Sequence, residues 1–367
     1  MNKDNKTGSD KSAAPKGILH PEKPLEEDRR DTALRPRNLS EFQGQKAMKD
    51  NLSVFIQAAR ERNESLDHLF LIGPPGLGKT TLAQVVANEL GVDFKVTSAP
   101  ALEKPKDLAG ILTTLTEKSV FFIDEIHRLK PAIEEMLYIA MEDYELDWIL
   151  GQGPNARTIR IPVQPFTLVG ATTKAGNVSS PLISRFGITC RFSFYLDEDM
   201  EAIVRRSAGI LSVKINSEAA TLLARSARGT PRVVNRLLRR VRDFAQILAV
   251  PADPGDAVPL ITREIVEESL NRLEIDSLGL ERYDREILKI IIERYGGGPV
   301  GAETLAISIG ESVDTLEDYY EPYLIQAGFI QRTPRGRTVT SLAYEYLKLP
   351  RRNDISVPGE SGGLLFN

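Results

Sequence analysis

Gly73-Pro74-Pro75-Gly76-Leu77-Gly78-Lys79-Thr80 is the stretch whose residue types and spacing most directly carry chemistry. It follows the pattern G-x-x-x-x-G-K-[ST]. Its glycines let backbone N–H groups turn inward and approach phosphate oxygens closely. Lys79 supplies an ammonium to β- and γ-phosphates, Thr80 offers a hydroxyl to Mg²⁺, and a following helix points its positive end at the anion. A second signal is Asp124-Glu125, which ends the apolar run Val120 to Ile123. At the C-terminal end of a strand, Asp124 would hold Mg²⁺ through water and Glu125 would polarise an attacking water. Alone, such a pair is a common surface feature; the phosphate loop upstream is what assigns it chemistry. His127 follows two residues later. With three histidines and one cysteine in the chain, a metal cluster is not expected, and His127 reads as a packing or coupling residue.

These groups need a sheet edge to stand on. Leu69-Phe70-Leu71-Ile72 ends at the glycine-rich turn and predicts a buried parallel strand. Thr80 to Leu90 reads as a helix with Leu82, Val85, Val86 and Leu90 on its apolar side, and Met48 to Arg62 repeats the pattern with Leu52, Phe55, Ile56 and Ala59. Val120–Ile123 and Phe166–Gly170 are two further buried strands, so the expected architecture is α/β, a parallel sheet covered on both faces. Between them, Asp147–Leu150 and Thr158–Ile161 flank a Gly/Pro/Asn turn and predict a hairpin. The chain's one tryptophan, Trp148, lies there beside Ile149 and Leu150. Either this apolar group is exposed as a binding hot spot or Trp148 packs against the sheet.

The chain has 367 residues, enough for two or three domains. It is 41% hydrophobic and 27% charged, as soluble globular proteins are. No apolar run is long enough to span a membrane, and Met1 to Asp10 lacks the apolar stretch of a signal peptide. The single cysteine, Cys190, allows no internal disulfide, fits a reducing, cytoplasmic setting and reads as a small buried apolar residue. The net charge of −4 gives no hint of nucleic acid, but phosphate contacts need only a local basic surface. Arginines do cluster. One run holds Arg225, Arg228, Arg232, Arg236, Arg239, Arg240 and Arg242; the other holds Arg332, Arg335, Arg337, Arg351 and Arg352.

The second cluster falls in a layout of its own. Ala302–Ile309 and Thr315–Ala327 read as two helices. Phe329-Ile330-Gln331-Arg332 and Thr338-Val339-Thr340 then flank Thr333-Pro334-Arg335-Gly336-Arg337 as a two-stranded wing. A winged helix of this kind can enter a groove and bind phosphate, although solvated turn arginines would read the same way. No aromatic ladder accompanies it, so base stacking is not expected.

The order of motifs resembles that of AAA+ ATPases, and more closely the RuvB family of Holliday-junction branch-migration motors, from about Leu34 to Leu347. The most specific stretches are Gly73 to Thr81, Phe122 to Leu129, Arg228 to Ala245, and Glu321 to Gln326 with Arg332 to Arg337. By that resemblance Thr172 or Thr173, in Ala171-Thr172-Thr173, is the first sensor. Arg185, in Ser180-Pro181-Leu182-Ile183-Ser184-Arg185-Phe186, is an arginine finger reaching a neighbour's nucleotide. Arg232, in Gly229-Thr230-Pro231-Arg232, is the second sensor. Leu34 and Arg35 would border the base, and Gly76, Gly78, Thr80, Thr81, Glu142, Asp143, Tyr144 and Tyr195 would line the ATP site. Arg332 and Arg337 would touch DNA, and the remaining arginines of 225–242 would serve nucleotide sensing and subunit contacts. The chain departs from the pattern at Ile183, where many relatives carry arginine, and at Val313, near a basic position in some.

The resemblance implies an AAA+ P-loop domain over 31–195, a small helical lid over 196–267 and a winged-helix domain over 268–349, with a disordered arm at 1–30 and a flexible tail at 350–367. It implies ATP and Mg²⁺ as cofactors and a homo-hexamer translocating double-stranded DNA. The implied partners are a RuvA-like protein docked through the 147–161 hairpin and a RuvC-like resolvase. A clamp-loader-like or initiator-like switch is the competing reading. A protein-unfolding ring would carry an aromatic pore-loop residue, and Ala99 to Lys106 has none.

Overall fold

The computed structural model describes residues 33–150, 157–248 and 260–350. The expected arm, most of the hairpin tip and the tail, including Arg351 and Arg352, lie outside the described residues. Residues 1–35 form a unit of their own, of which Ala33 to Arg35 are described; Leu34 is buried and Arg35 exposed.

Within 36–367, five parallel strands make the central sheet: β1 (Leu69–Ile72), β2 (Phe94–Ser98), β3 (Val120–Asp124), β6 (Thr167–Thr172) and β7 (Ile188–Arg191), in the order β2-β3-β6-β1-β7. The three strands read from sequence are the central ones; β6 is buried throughout, and β1 and β3 are buried except at their C-terminal residues. The two edge strands were not foreseen, because they are mostly solvent-facing and lack the apolar run that marks a central strand. Apolar residues cover both faces. Leu69, Leu71, Val85, Val86 and Phe122 belong to one cluster, and Phe70, Phe121, Ile123, Leu137 and Leu168 to the other.

β4 (Glu145–Leu150) and β5 (Arg157–Pro162) form the expected antiparallel hairpin, with Trp148 opposite Ile159. Trp148 is half-buried against the second core cluster, next to fully buried Leu146. Of the two alternatives for Trp148, packing is the one realised. Ile149 and Leu150 lie outside the residues whose side chains are described.

The first cluster also takes in Met200, Val204, Leu223, Val234, Leu238, Val266 and Leu270, on helices Asp197–Ile210, Ser217–Arg225, Pro231–Leu248 and Arg263–Arg272, and Ile275 just past the last of them. The third core begins at Leu280. A boundary at 267 would cut helix Arg263–Arg272, whose Val266 and Leu270 are buried in the lid; the change of core falls between Ile275 and Leu280.

The C-terminal unit packs helices Arg282–Tyr295, Ala302–Ile309 and Ser341–Leu347 around Ile287, Leu288, Ile291, Leu305 and Leu324. The expected helix from Thr315 to Ala327 widens to a π-turn at Leu316–Tyr320 before Glu321–Gln326. Pro322 has no N–H to give the carbonyl four residues back, and Glu321 N–H instead reaches the Leu316 carbonyl. A short parallel pair, β8 (Lys214–Ile215) with β9 (Leu260–Ile261), lies in the lid, and the wing follows as β10 (Ile330–Thr333) and β11 (Gly336–Val339).

Candidate functional site

Gly73 to Gly78 leave β1 at the C-terminal edge of the sheet and lead into helix Lys79–Leu90. Gly73, Gly76 and Gly78 have φ of 156°, 81° and 98°. A Cβ at Gly76 would stand 2.9 Å from Thr230 Cγ2 and 3.2 Å from Arg232 Cβ, so only glycine lets the lid close on the loop here. Arg232 N–H donates to the Gly76 carbonyl at 3.3 Å, which seats the first turn of helix Pro231–Leu248 on the phosphate loop.

The Lys79 ammonium is buried and donates to the carbonyls of Gly73 (2.6 Å) and Pro74 (3.0 Å). Burial lowers its pKa; Glu125 and Asp124 raise it and Arg232 lowers it further, which places all four groups in one electrostatic neighbourhood. Thr80 and Thr81 follow on the first helical turn. Tyr195 closes the site from the inter-domain segment: its hydroxyl donates to the Leu77 carbonyl at 3.1 Å, and burial drives its pKa far up, so it stays a neutral donor. Phe42 lies 3.4 Å from where a Gly78 Cβ would be. Nothing in the sequence singled out Phe42, whose place depends on the segment 36–45 folding back over this edge.

Glu125 sits just past β3 with φ 50°, next to Asp124. Its Oε2 faces Thr173 Oγ1 at 3.3 Å and His127 Nδ1 at 3.2 Å. His127 Nδ1 also lies 3.0 Å from Thr172 Oγ1. Burial lowers the His127 pKa, against the pull of Glu125, so the imidazole is neutral at pH 7. The two threonines separate here. Thr172 is 0% exposed and its hydroxyl is taken by His127 and by Lys174 N–H, whereas half-buried Thr173 turns to Glu125. A side chain with no exposure has no access to a nucleotide, so Thr173 replaces Thr172 as the sensor candidate. The adjacent pair read identically in sequence; strand alternation alone distinguishes them.

Arg185 is not in this group. It lies three residues before β7, at the N-terminal edge of the sheet, with Nη2 3.2 Å from Glu142 Oε2, its guanidinium 4.7 Å over the Tyr138 ring and Nη1 donating to Pro181 O at 2.8 Å. Its Nε is buried without a hydrogen-bond partner among the described residues. Glu142, Asp143 and Tyr144 share that edge. His68, just before β1, bonds the Met141 carbonyl at 3.2 Å, and the Tyr144 ring meets Phe166 edge-on at 6.0 Å. The length of β1, about 13 Å at the usual rise per residue, separates this edge from the phosphate loop.

At the wing, Arg332 and Arg337 stand directly opposite each other in the ladder and both pair with Glu321, which is fully buried. The Arg337 side chain is 11% exposed and also bonds Glu317, so its charge, expected to meet DNA, is held here in an internal ion pair. Arg332 keeps 49% of its side chain exposed, and Arg335 stands exposed at the tip with no ion pair among the described residues. The 225–242 run also divides: Arg232 goes to the loop, Arg225 to Asp197, Arg240 and Arg242 to Asp243, and Arg228 and Arg236 to Glu281.

Three family models cover this geometry end to end: the Holliday junction DNA helicase RuvB P-loop domain over residues 34–192, the RuvB AAA lid domain over 195–276 and the RuvB C-terminal winged helix domain over 277–348. The chain belongs to the RuvB family. It is 72% identical over 322 residues to the Holliday junction branch migration complex subunit RuvB of Treponema denticola, covering 88% of this chain and 92% of the relative. The Borreliella burgdorferi protein of the same description is 57% identical over 327 residues, 89% and 92% of the two chains. Among solved structures, the Thermotoga maritima RuvB Holliday junction branch migration motor superposes with a TM-score of 0.78 at 48% identity, covering 87% of this chain and 99% of that one. The AAA+ sheet, lid and winged helix are thus the family's own three parts.

Proposed function

We propose that this chain is the ATP-hydrolysing subunit of a homo-hexameric ring that pulls duplex DNA and so drives branch migration of Holliday junctions, loaded by a RuvA-like partner and serving a RuvC-like resolvase. The observation that carries the reading is the placement of Lys79 and Arg185 at opposite edges of one sheet. Each subunit carries a phosphate site lacking an arginine finger and, on its far side, a finger lacking a phosphate site, which a ring satisfies and a monomer does not.

The residues fit ATP and Mg²⁺: a glycine cradle that a Cβ would fill, a buried ammonium, and the Thr80 hydroxyl and Asp124 carboxylate as oxygen donors. When bound, the nucleotide supplies the phosphoryl group that passes to water. Lys79 holds the phosphates, Thr80 and Asp124 hold the cation, and Arg232 reads the phosphates from the lid. Glu125, steadied by Thr173 and neutral His127, orients a water and accepts its proton at a carboxylate oxygen. Glu142, Asp143 and Tyr144, beside Arg185, line the neighbour's nucleotide.

The test is ATP turnover with and without a four-way junction and a RuvA-type protein. Stimulation by both together supports the reading, and a rate indifferent to both sinks it. Lys79→Ala should lose nucleotide binding, while Glu125→Gln should bind ATP and stop turning over.

A further inference from the structure

Between the phosphate loop and the wing stands a buried guanidinium whose side-chain partners belong to neither. Arg228 ends the segment after helix Ser217–Arg225 and holds φ 56°, in the left-handed region. From there it leaves the lid and enters the winged-helix domain. Its Nε donates to the Gly279 carbonyl at 2.5 Å, its Nη2 pairs with Asp284, and its guanidinium lies 4.9 Å over the Tyr323 ring. Arg228 is 9% exposed and Asp284 0%. The backbones meet as closely: a Cβ at Gly279 would stand 2.5 Å from the Ser226 carbonyl oxygen. Arg236, two turns along the lid helix, adds a contact to Glu281 at 3.2 Å.

On its other side Arg228 adjoins the nucleotide-sensing turn. Gly229 accepts from Tyr195 N–H at 3.0 Å, Tyr195 Oη reaches Leu77 at 3.1 Å, and Arg232 N–H reaches Gly76 at 3.3 Å. Phosphate loop, sensing turn and winged-helix domain are therefore joined through a few consecutive bonds. The winged-helix domain also reaches the ATPase body through Lys174, but those ion pairs, 3.0 Å to Asp318 and 3.6 Å to Asp314, are solvent-exposed and so weak.

A buried ion pair is seldom kept for stability, since apolar residues of like volume do as well or better. Here Asp284 Oδ1 has no hydrogen-bond partner among the described residues, which adds cost without gain in stability. The best-attested use of such a pair is to set register between two bodies.

We propose that Arg228 is a positioning residue that locks lid and winged-helix domain into one rigid arm, so that closure of Arg232 on nucleotide swings the wing through a fixed angle relative to the ATPase body. The lever's joint is then the segment Phe192–Leu196, and the Lys174 contact is the one that opens. This rests on the motor reading above.

Arg228→Lys keeps the charge and loses the two-pronged hold; Asp284→Asn keeps an acceptor for the Glu281 N–H that Asp284 caps. Both variants should bind ATP and duplex DNA and keep basal hydrolysis. Their branch migration per ATP should fall by about tenfold, an ordinary size for a coupling between sites. Spin labels on Glu218→Cys in the lid and Glu293→Cys in the winged-helix domain give a second readout. That distance should be narrow and equal in ADP and in a non-hydrolysable ATP analogue, and should broaden in Arg228→Lys. Labels on Glu64→Cys and Glu293→Cys should shift between the two nucleotides. Unchanged migration per ATP in both variants, a lid distance that shifts with nucleotide in the parent chain, or hydrolysis and migration falling in equal proportion would overturn the proposal. If the parent chain moves no junction, the motor reading fails, and the label distances still decide whether the arm is rigid.

Discussion

Arg337 donates through Nε to Oε1 of Glu321 at 2.6 Å, and that carboxylate is fully buried beneath the wing. Both partners lie on the C-terminal domain, but on different elements: Glu321 follows the π-turn and Arg337 stands on β11. The pair therefore pins the wing to the helix before it. Arg332 takes the second oxygen of the same carboxylate from the other strand at 2.6 Å.

Removing either end should unmake the wing. Arg337→Ala leaves Glu321 buried with half its partners, and breaking a buried pair costs about 3 kcal/mol or more. The expected result is a lower unfolding midpoint of the winged-helix domain, with duplex affinity lost as a consequence. Arg335→Ala, at the exposed tip, should leave stability unchanged. It should weaken binding on unrelated duplexes alike and reduce the slope of log affinity against log salt by about 0.9. Denaturant melts and a salt series on both variants separate the two roles. A normal melt for Arg337→Ala, or an unchanged slope for Arg335→Ala, would reverse the assignments.

Arg185 should act across the subunit boundary. Arg185→Ala should slow hydrolysis by about 10³-fold, the usual contribution of an arginine finger. Mixed with Lys79→Ala subunits, it should recover turnover, because some interfaces then pair an intact phosphate loop with an intact finger. Steady-state ATPase across mixing ratios, with assembly verified, is the measurement. No recovery at any ratio would return Arg185 to its own subunit's structure.

The two neighbouring threonines should behave differently. Thr173→Val removes the hydroxyl that Glu125 accepts from and should slow turnover while sparing the melting temperature. Thr172→Val leaves His127 Nδ1 with Glu125 alone and strands the Lys174 N–H, at about 1–3 kcal/mol for an unsatisfied buried group, so it should melt earlier. Equal effects of both substitutions on turnover and melting would remove the distinction.

The hairpin is the surface proposed for the RuvA-like partner. Ile159, opposite Trp148 in the ladder, is 41% exposed and is the most exposed large apolar side chain among the described residues of the hairpin. Ile159→Asp should weaken capture by a RuvA-type protein and leave partner-independent hydrolysis intact. Titration calorimetry with such a protein checks it; unchanged affinity would place the dock elsewhere.

The sequence by itself determined the chemistry. Lys79, Thr80, Asp124 and Glu125 are set by local patterns, because a phosphate cradle needs glycines in the left-handed region within one turn and a strand end needs an apolar run before it. The central strands and the amphipathic helices followed from periodicity for the same reason. Tertiary structure decided whatever depends on which groups meet across the chain. It buried Thr172 and faced Thr173 to Glu125, since a strand's alternating faces have no absolute orientation until the sheet forms. It placed Arg185 at the sheet edge away from Lys79, which only the parallel order of β1 and β7 fixes. It also turned Arg337 from a free cation into the partner of Glu321, 16 residues away, and sent Arg228 into a domain 56 residues further along the chain. An arginine's charge is legible anywhere in a sequence; whether a carboxylate already holds it depends on the folded packing.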